Sequence, residues 1–195
     1  MKKLFILTLL FSLSGCDLFG NSGHQPKMLE QPPVVEEPPV EIREEMIQRE
    51  LNLPPEPDET ENNATILGVD TNENNIRDDV ERQIAFELYE NPAEMKRHMR
   101  YAQLWTETFL AEGDKDKLKA IEWEKHLNIR CQTIDVTNTD EFYEATDSRY
   151  KTANLLGDSR DRYSAYKSAI YFDRDEFRDR APKEEVRTYC SQFNN

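Results

Sequence analysis

Between residues 68 and 81 the chain reads Gly68-Val69-Asp70-Thr71-Asn72-Glu73-Asn74-Asn75-Ile76-Arg77-Asp78-Asp79-Val80-Glu81. Oxygen-bearing side chains recur at Asp70, Asn72, Asn74 and Asp78, and Glu81 stands twelfth from Asp70. Alternate residues of a tight turn can aim such side chains at one point, and a hard cation such as Ca²⁺ takes about six to eight oxygens at about 2.4 Å. The other reading is purely local. Asp78 and Glu81 have the spacing of a capping box, and an Asn-rich turn ahead of a helix needs no metal. Residue types elsewhere are poor in catalytic chemistry. His24, His98 and His126 are the only histidines, none with a partner at zinc-ligand spacing. His98, among Lys96, Arg97 and Arg100, reads as part of a solvated face. There is no Gly-rich phosphate loop, nucleophile elbow or redox CxxC. Asp173, Asp175, Glu176 and Asp179 interleave with Arg174, Arg178 and Arg180 as on a charged helix face. The expectation is a protein without catalytic residues.

The stretch resembles the loop of EF-hands and, still more closely, the aspartate-rich loop of thrombospondin type 3 repeats. The order there is Asp-x-Asp/Asn-x-Asp/Asn-Gly-x-x-Asp-x-x-Asp/Glu. The resemblance covers residues 68–81. It implies side-chain oxygens from Asp70, Asn72 and Asn74, the carbonyl of Ile76, Asp78 directly or through water, and Glu81 with both oxygens from a first helical turn. Where those loops place a glycine this chain has Asn75, the next best residue for left-handed backbone. Ile76 holds the apolar seventh position favoured by thrombospondin-type loops; EF-hands favour the eighth. Three carboxylates imply a weak structural calcium site, ~10⁻⁴–10⁻³ M.

At the other end, Lys2 and Lys3 precede an apolar run from Leu4 to Leu13, broken only by Thr8 and Ser12 and followed by Ser14-Gly15-Cys16. A charged start, a short apolar run and small residues before a cut site make a secretory signal, too short to span a bilayer. Leu13-Ser14-Gly15-Cys16 resembles the lipobox of bacterial lipoproteins. That implies removal of residues 1–15, with Cys16 left as the acylated first residue, its several chains meeting the two-signal requirement for stable anchoring. In enterobacterial lipoproteins an Asp at the next position, here Asp17, retains the protein in the inner membrane, facing the periplasm. The chain also resembles proteobacterial lipoproteins that carry a segment like 68–81 at this position. With Cys16 lipidated, Cys131 and Cys190 are left in an oxidising compartment. Either they form a bridge worth on the order of 4 kcal/mol in the chain-entropy model, or they are two separately buried thiols.

The elements that must position these residues fall into two parts. Eight of the ten prolines lie between Pro26 and Pro57, interleaved with glutamates. Such composition favours extended, self-repelling chain, so residues 16–62 are expected to be a disordered acidic tether. Ile42, Met46, Ile47 and Leu51 within it are spaced for a short amphipathic helix or docking segment. Residues 63–195 are expected to be an all-α domain of five or six helices, opening with the calcium-type loop 70–81. Its apolar stripes are Val80, Ile84, Leu88; then Met95 to Phe109 behind the start Asn91-Pro92; then Ala120, Trp123, Leu127, Cys131, Ile134. Phe142 to Leu156 follow an Asn138–Glu141 cap, Tyr163, Tyr166 and Ile170 follow Ser159, and Val186, Cys190 and Phe193 follow Pro182.

Charged residues make up 33% of the chain and the net charge is −14. Such a chain repels phosphate backbones, which excludes nucleic acid as a partner, and anionic headgroups, which leaves anchoring to the lipid. The function expected is a non-enzymatic binding or envelope-interaction module with a periplasmic protein partner. The alternative is an inhibitor or accessory subunit of a periplasmic enzyme or secretion complex. A hydrolase would need the acidic residues 173–179 to form a concave site.

Overall fold

The computed structural model describes residues 39–136, 139–170 and 181–194. The signal segment, Cys16, Asp17, the tether up to residue 38, Asn138 and the charged run 173–179 lie outside the described residues. Those described are helical and carry no strand, so the fold is all-α as expected. In chain order the helices are α1 (Val40–Leu51), α2 (Glu59–Asn62), α3 (Asp78–Leu88), α4 (Pro92–Leu110), α5 (Lys115–Cys131), α6 (Thr139–Leu156), α7 (Arg160–Ala169) and α8 (Lys183–Ser191).

Helix boundaries follow local chemistry. Asn91 caps α4 by accepting from the Glu94 amide, with Pro92 in the first turn. Asp114 accepts from the Lys117 amide to open α5, and Ser159 accepts from Arg162 to open α7. Helix α1 ends at Asn52, whose left-handed backbone lets Leu53 N–H reach the Gln48 carbonyl before Pro54 stops the helix.

Helix α4 is the centre of the bundle and packs against α3, α5, α6 and α7. Its stripe Tyr101, Ala102, Trp105 meets Ile76, Val80, Ile84 and Leu156 in the main core. Trp105 stacks on Tyr166 of α7 at 3.8 Å. On its other side Leu104 and Ala111 pack against Leu118 and Ile121 of α5. Helix α5 therefore buries two faces, since Leu127, beside Trp123, packs with Val186 of α8. The expected stripe from Ala120 to Ile134 is only the second of these; Ala120 itself is exposed. Cys131 and Cys190 form a disulfide with Cα atoms 5.6 Å apart, joining the ends of α5 and α8.

The compact unit already includes α1, well before residue 63. Helix α1 lies on α3 with Ile47 wholly buried, and Arg82 of α3 grips the Pro54 carbonyl and the Glu56 carboxylate. The stretch from Val40 to Asn62, assigned by composition to the tether, packs with the helical domain. Its spacing had named the buried residue among the candidates, Ile47 of the Ile42–Leu51 set.

Candidate metal centre

Gly68 has φ +71°, and a Cβ there would strike the Arg77 side chain and Asn62 Oδ1, so only glycine fits ahead of the turn. Asp70 then organises the loop: its Oδ1 accepts from the Asn74 amide at 3.1 Å and its Oδ2 from the Asn75 amide at 2.8 Å. Asn75 has φ 65°, the left-handed geometry expected of a residue in the glycine position. Asn72 Oδ1 also accepts from the Asn74 amide, and Asn74 Oδ1 accepts from Ile76 N–H at 2.8 Å. From the first turn of α3, Glu81 reaches back to accept from Asn72 Nδ2 at 3.0 Å. Thus Asp70, Asn72, Asn74 and Glu81 are gathered at one turn. Gln103 of α4 donates to the Asn74 carbonyl, tying the loop to the bundle.

Asp78 is placed differently. It is fully buried, and its two oxygens accept from Thr71 N–H and Thr71 Oγ–H. The capping box is not what the side chains form: Arg77 stands at the N-cap of α3 with no side-chain cap bond. Asp78 instead holds the entry to the loop against the helix start, with its own N–H on the Val69 carbonyl.

Electrostatics concentrate on Glu81. Burial pushes its carboxyl above the usual glutamate range; hydrogen bonds from Asn72 and Asn74 pull it back, and Asp78 and Asp70 raise it further. Among the described residues no three His, Cys, Asp or Glu side chains cluster as a metal site by themselves. The physical reason is the donor set: half of it is asparagine and backbone, and Asp78 is turned to Thr71. The remaining donors suit a hard cation. They are neutral or anionic oxygens on a preformed turn, with no thiolate or imidazole among them.

Sequence spacing did not show what braces the loop. Arg162, 2% exposed, donates from α7 to the carbonyls of Asn62 and Ile66 and to Asp158. Arg77 donates to Asp79, Asp158 and the Leu155 carbonyl. Apart from the local Arg77–Asp79 and Arg162–Asp158 pairs, these contacts join residues 78 to 100 positions apart, beyond any local pattern. His98 is a correction. It is 3% exposed, with Nδ1 2.6 Å from Thr152 Oγ1 and Nε2 3.1 Å from Gln132 Nε2. Its spacing to Ala102 and Trp105 put it on the core face despite its basic neighbours. Lys125, also buried, donates to Thr108 and Glu122 and lies 4.6 Å from the Tyr166 ring centre; burial pulls its pKa down.

Among the described residues no helix is long and apolar enough to cross a membrane. Comparison with protein-family models, with curated proteins and with solved structures finds no match to the chain.

Proposed function

We propose that the chain is a lipid-anchored lipoprotein of the bacterial envelope whose helical domain is a non-enzymatic interaction module braced by one calcium ion. The observation that carries the ion is the turn itself. Asn75 is left-handed, Asp70 is wrapped by the Asn74 and Asn75 amides, and a buried Glu81 carboxylate faces back onto Asn72 under repulsion from Asp70 and Asp78. Side-chain oxygens of Asp70, Asn72, Asn74 and Glu81 and the Ile76 carbonyl would hold the ion, with Asp78 as the group that positions the loop. The ion would supply charge neutralisation and a fixed joint between the α2–α3 connection and α4; it has no part in a reaction. The anchor rests on Leu13-Ser14-Gly15-Cys16, and the periplasmic face of the inner membrane on Asp17.

Calorimetric titration of calcium into the full chain, with thermal melts, tests this reading. Saturable binding at ~10⁻⁴–10⁻³ M and a rise in melting temperature are expected, both lost in Asp70→Ala/Glu81→Ala. No heat and no shift at millimolar calcium would remove the ion from the account. Mass analysis of the purified chain tests the anchor: an N-terminus at Cys16 carrying acyl chains is expected, and a free Cys16 thiol would exclude it.

A further inference from the structure

Large apolar side chains exposed singly are ordinary on a protein surface, but several lining one hollow are not. Ile66 (42% exposed), Leu67 (40%) and Leu110 (56%) line a single groove of about 470 Å³. Ile66 and Leu67 come from the connection ahead of the metal-type turn, and Leu110 from the last turn of α4. Helix α7 contributes a strip of small side chains, with Ala165 and Ala169 one turn apart beside Ser164 and Ser168. A face without bulk allows another backbone to approach closely.

The groove is built rather than incidental. The Ile66 wall is fixed through its carbonyl by the Arg162 guanidinium, which also holds Asn62 and Asn63. The groove also has a charge. Glu112 and Asp161 both line it, both are exposed, and neither is in a salt bridge with a described residue. On a chain of net charge −14, two carboxylates with no salt bridge among the described residues, set beside apolar walls, suit a ligand with bases beside an apolar face.

We propose that this groove receives an amphipathic, lysine- or arginine-bearing helix of a partner protein. Its apolar face would lie on Leu67, Leu110 and the small strip of α7, and its bases beside Glu112 and Asp161. The proposal rests on the reading of the domain as an interaction module, and not on the ion, because the Ile66 wall is held by Arg162.

The test is fluorescence anisotropy of a labelled synthetic helix, KLLKLLLKLLK, titrated with the full chain in calcium and again in EDTA. Saturable binding in both buffers is expected. Weakening of about tenfold, the equivalent of about 1.4 kcal/mol, is expected in Leu67→Ser/Leu110→Ser, whose side chains are exposed enough to leave the melting temperature in place. Ala165→Leu, which fills the strip, is expected to weaken it similarly, and Glu112→Gln/Asp161→Asn to flatten the salt dependence. Equal binding by wild type and groove variants would overturn the groove and leave a module that binds elsewhere. Absence of binding by wild type and by the Tyr171→Ser/Phe172→Ser/Phe177→Ser variant alike would overturn the groove as a site for a basic helix. Binding that appears only after Tyr171, Phe172 and Phe177 are changed to serine would overturn the partner and assign the groove to the chain's own residues 171–180. Loss in EDTA alone would overturn the independence from the ion.

Discussion

A carboxylate buried beside two others is held against its charge preference, and Glu81 is in that position. Its pKa is raised, so between the ordinary value of 4.5 and the raised one the folded chain binds more protons than the unfolded chain. Stability of the metal-free protein therefore falls as pH climbs through that window. Calcium held at the proposed site would have the opposite dependence, because protons compete for the same oxygens. The melting rise on adding calcium is expected to be larger at pH 7 than at pH 5. Glu81→Gln is expected to melt no lower than wild type in EDTA and to lose the calcium response. Scanning calorimetry in EDTA and in calcium checks both, and a Glu81→Gln protein that melts lower in EDTA would show the carboxylate to be a net stabiliser without an ion. Much of this site was legible because its residues sit within fourteen positions: the Asp70–Glu81 spacing and the left-handed Asn75 are local facts. The turning of Asp78 to Thr71 was not legible, since both ion ligation and capping satisfy the same spacing.

At the scale of elements, capping residues and apolar periodicity carried α4 and α7, and periodicity without a side-chain cap carried α3 and α8, because a cap and a stripe are written into adjacent residues. Helix α1 was read as tether because prolines and glutamates on either side set the composition. One wholly buried side chain, Ile47, docks it on α3, helped by the Tyr89 hydroxyl on Glu50 at the end of that helix. Ile47→Ala is expected to cost about 2–4 kcal/mol, while Ile42→Ala, at 57% exposure, stays within about 0.5 kcal/mol. Urea unfolding of the two variants checks this, and equal small losses would return α1 to the tether. Helix α5 shows a different limit of periodicity. Packed between α4 and α8, it buries Leu118 and Ile121 on one side and Leu127 on another, and carries Lys125 and Asn128 inside as well. Two overlapping faces blur a single stripe, and polar residues within them hide both.

For the whole molecule, the Cys131–Cys190 bridge closes a long loop and fastens the last helix to α5. Cys131→Ala/Cys190→Ala is expected to lose on the order of 4 kcal/mol in the chain-entropy model, with amide exchange rising first in α8. Urea denaturation and hydrogen exchange measure both. A loss below about 1 kcal/mol would mean that packing of Leu127 and Val186 alone holds α8 in place. The Arg162 clamp has a different consequence, for the order in which the chain becomes structured. A chain synthesised from its N-terminus presents Asn62, Thr65 and Ile66 about a hundred residues before the guanidinium that fixes their carbonyls. Closing so long a loop requires most of the bundle to exist first. The segment leading into the turn at Asp70 thus acquires its final shape late, after α7 has emerged, and a chain interrupted before residue 162 carries every residue of that turn without the brace that holds its approach.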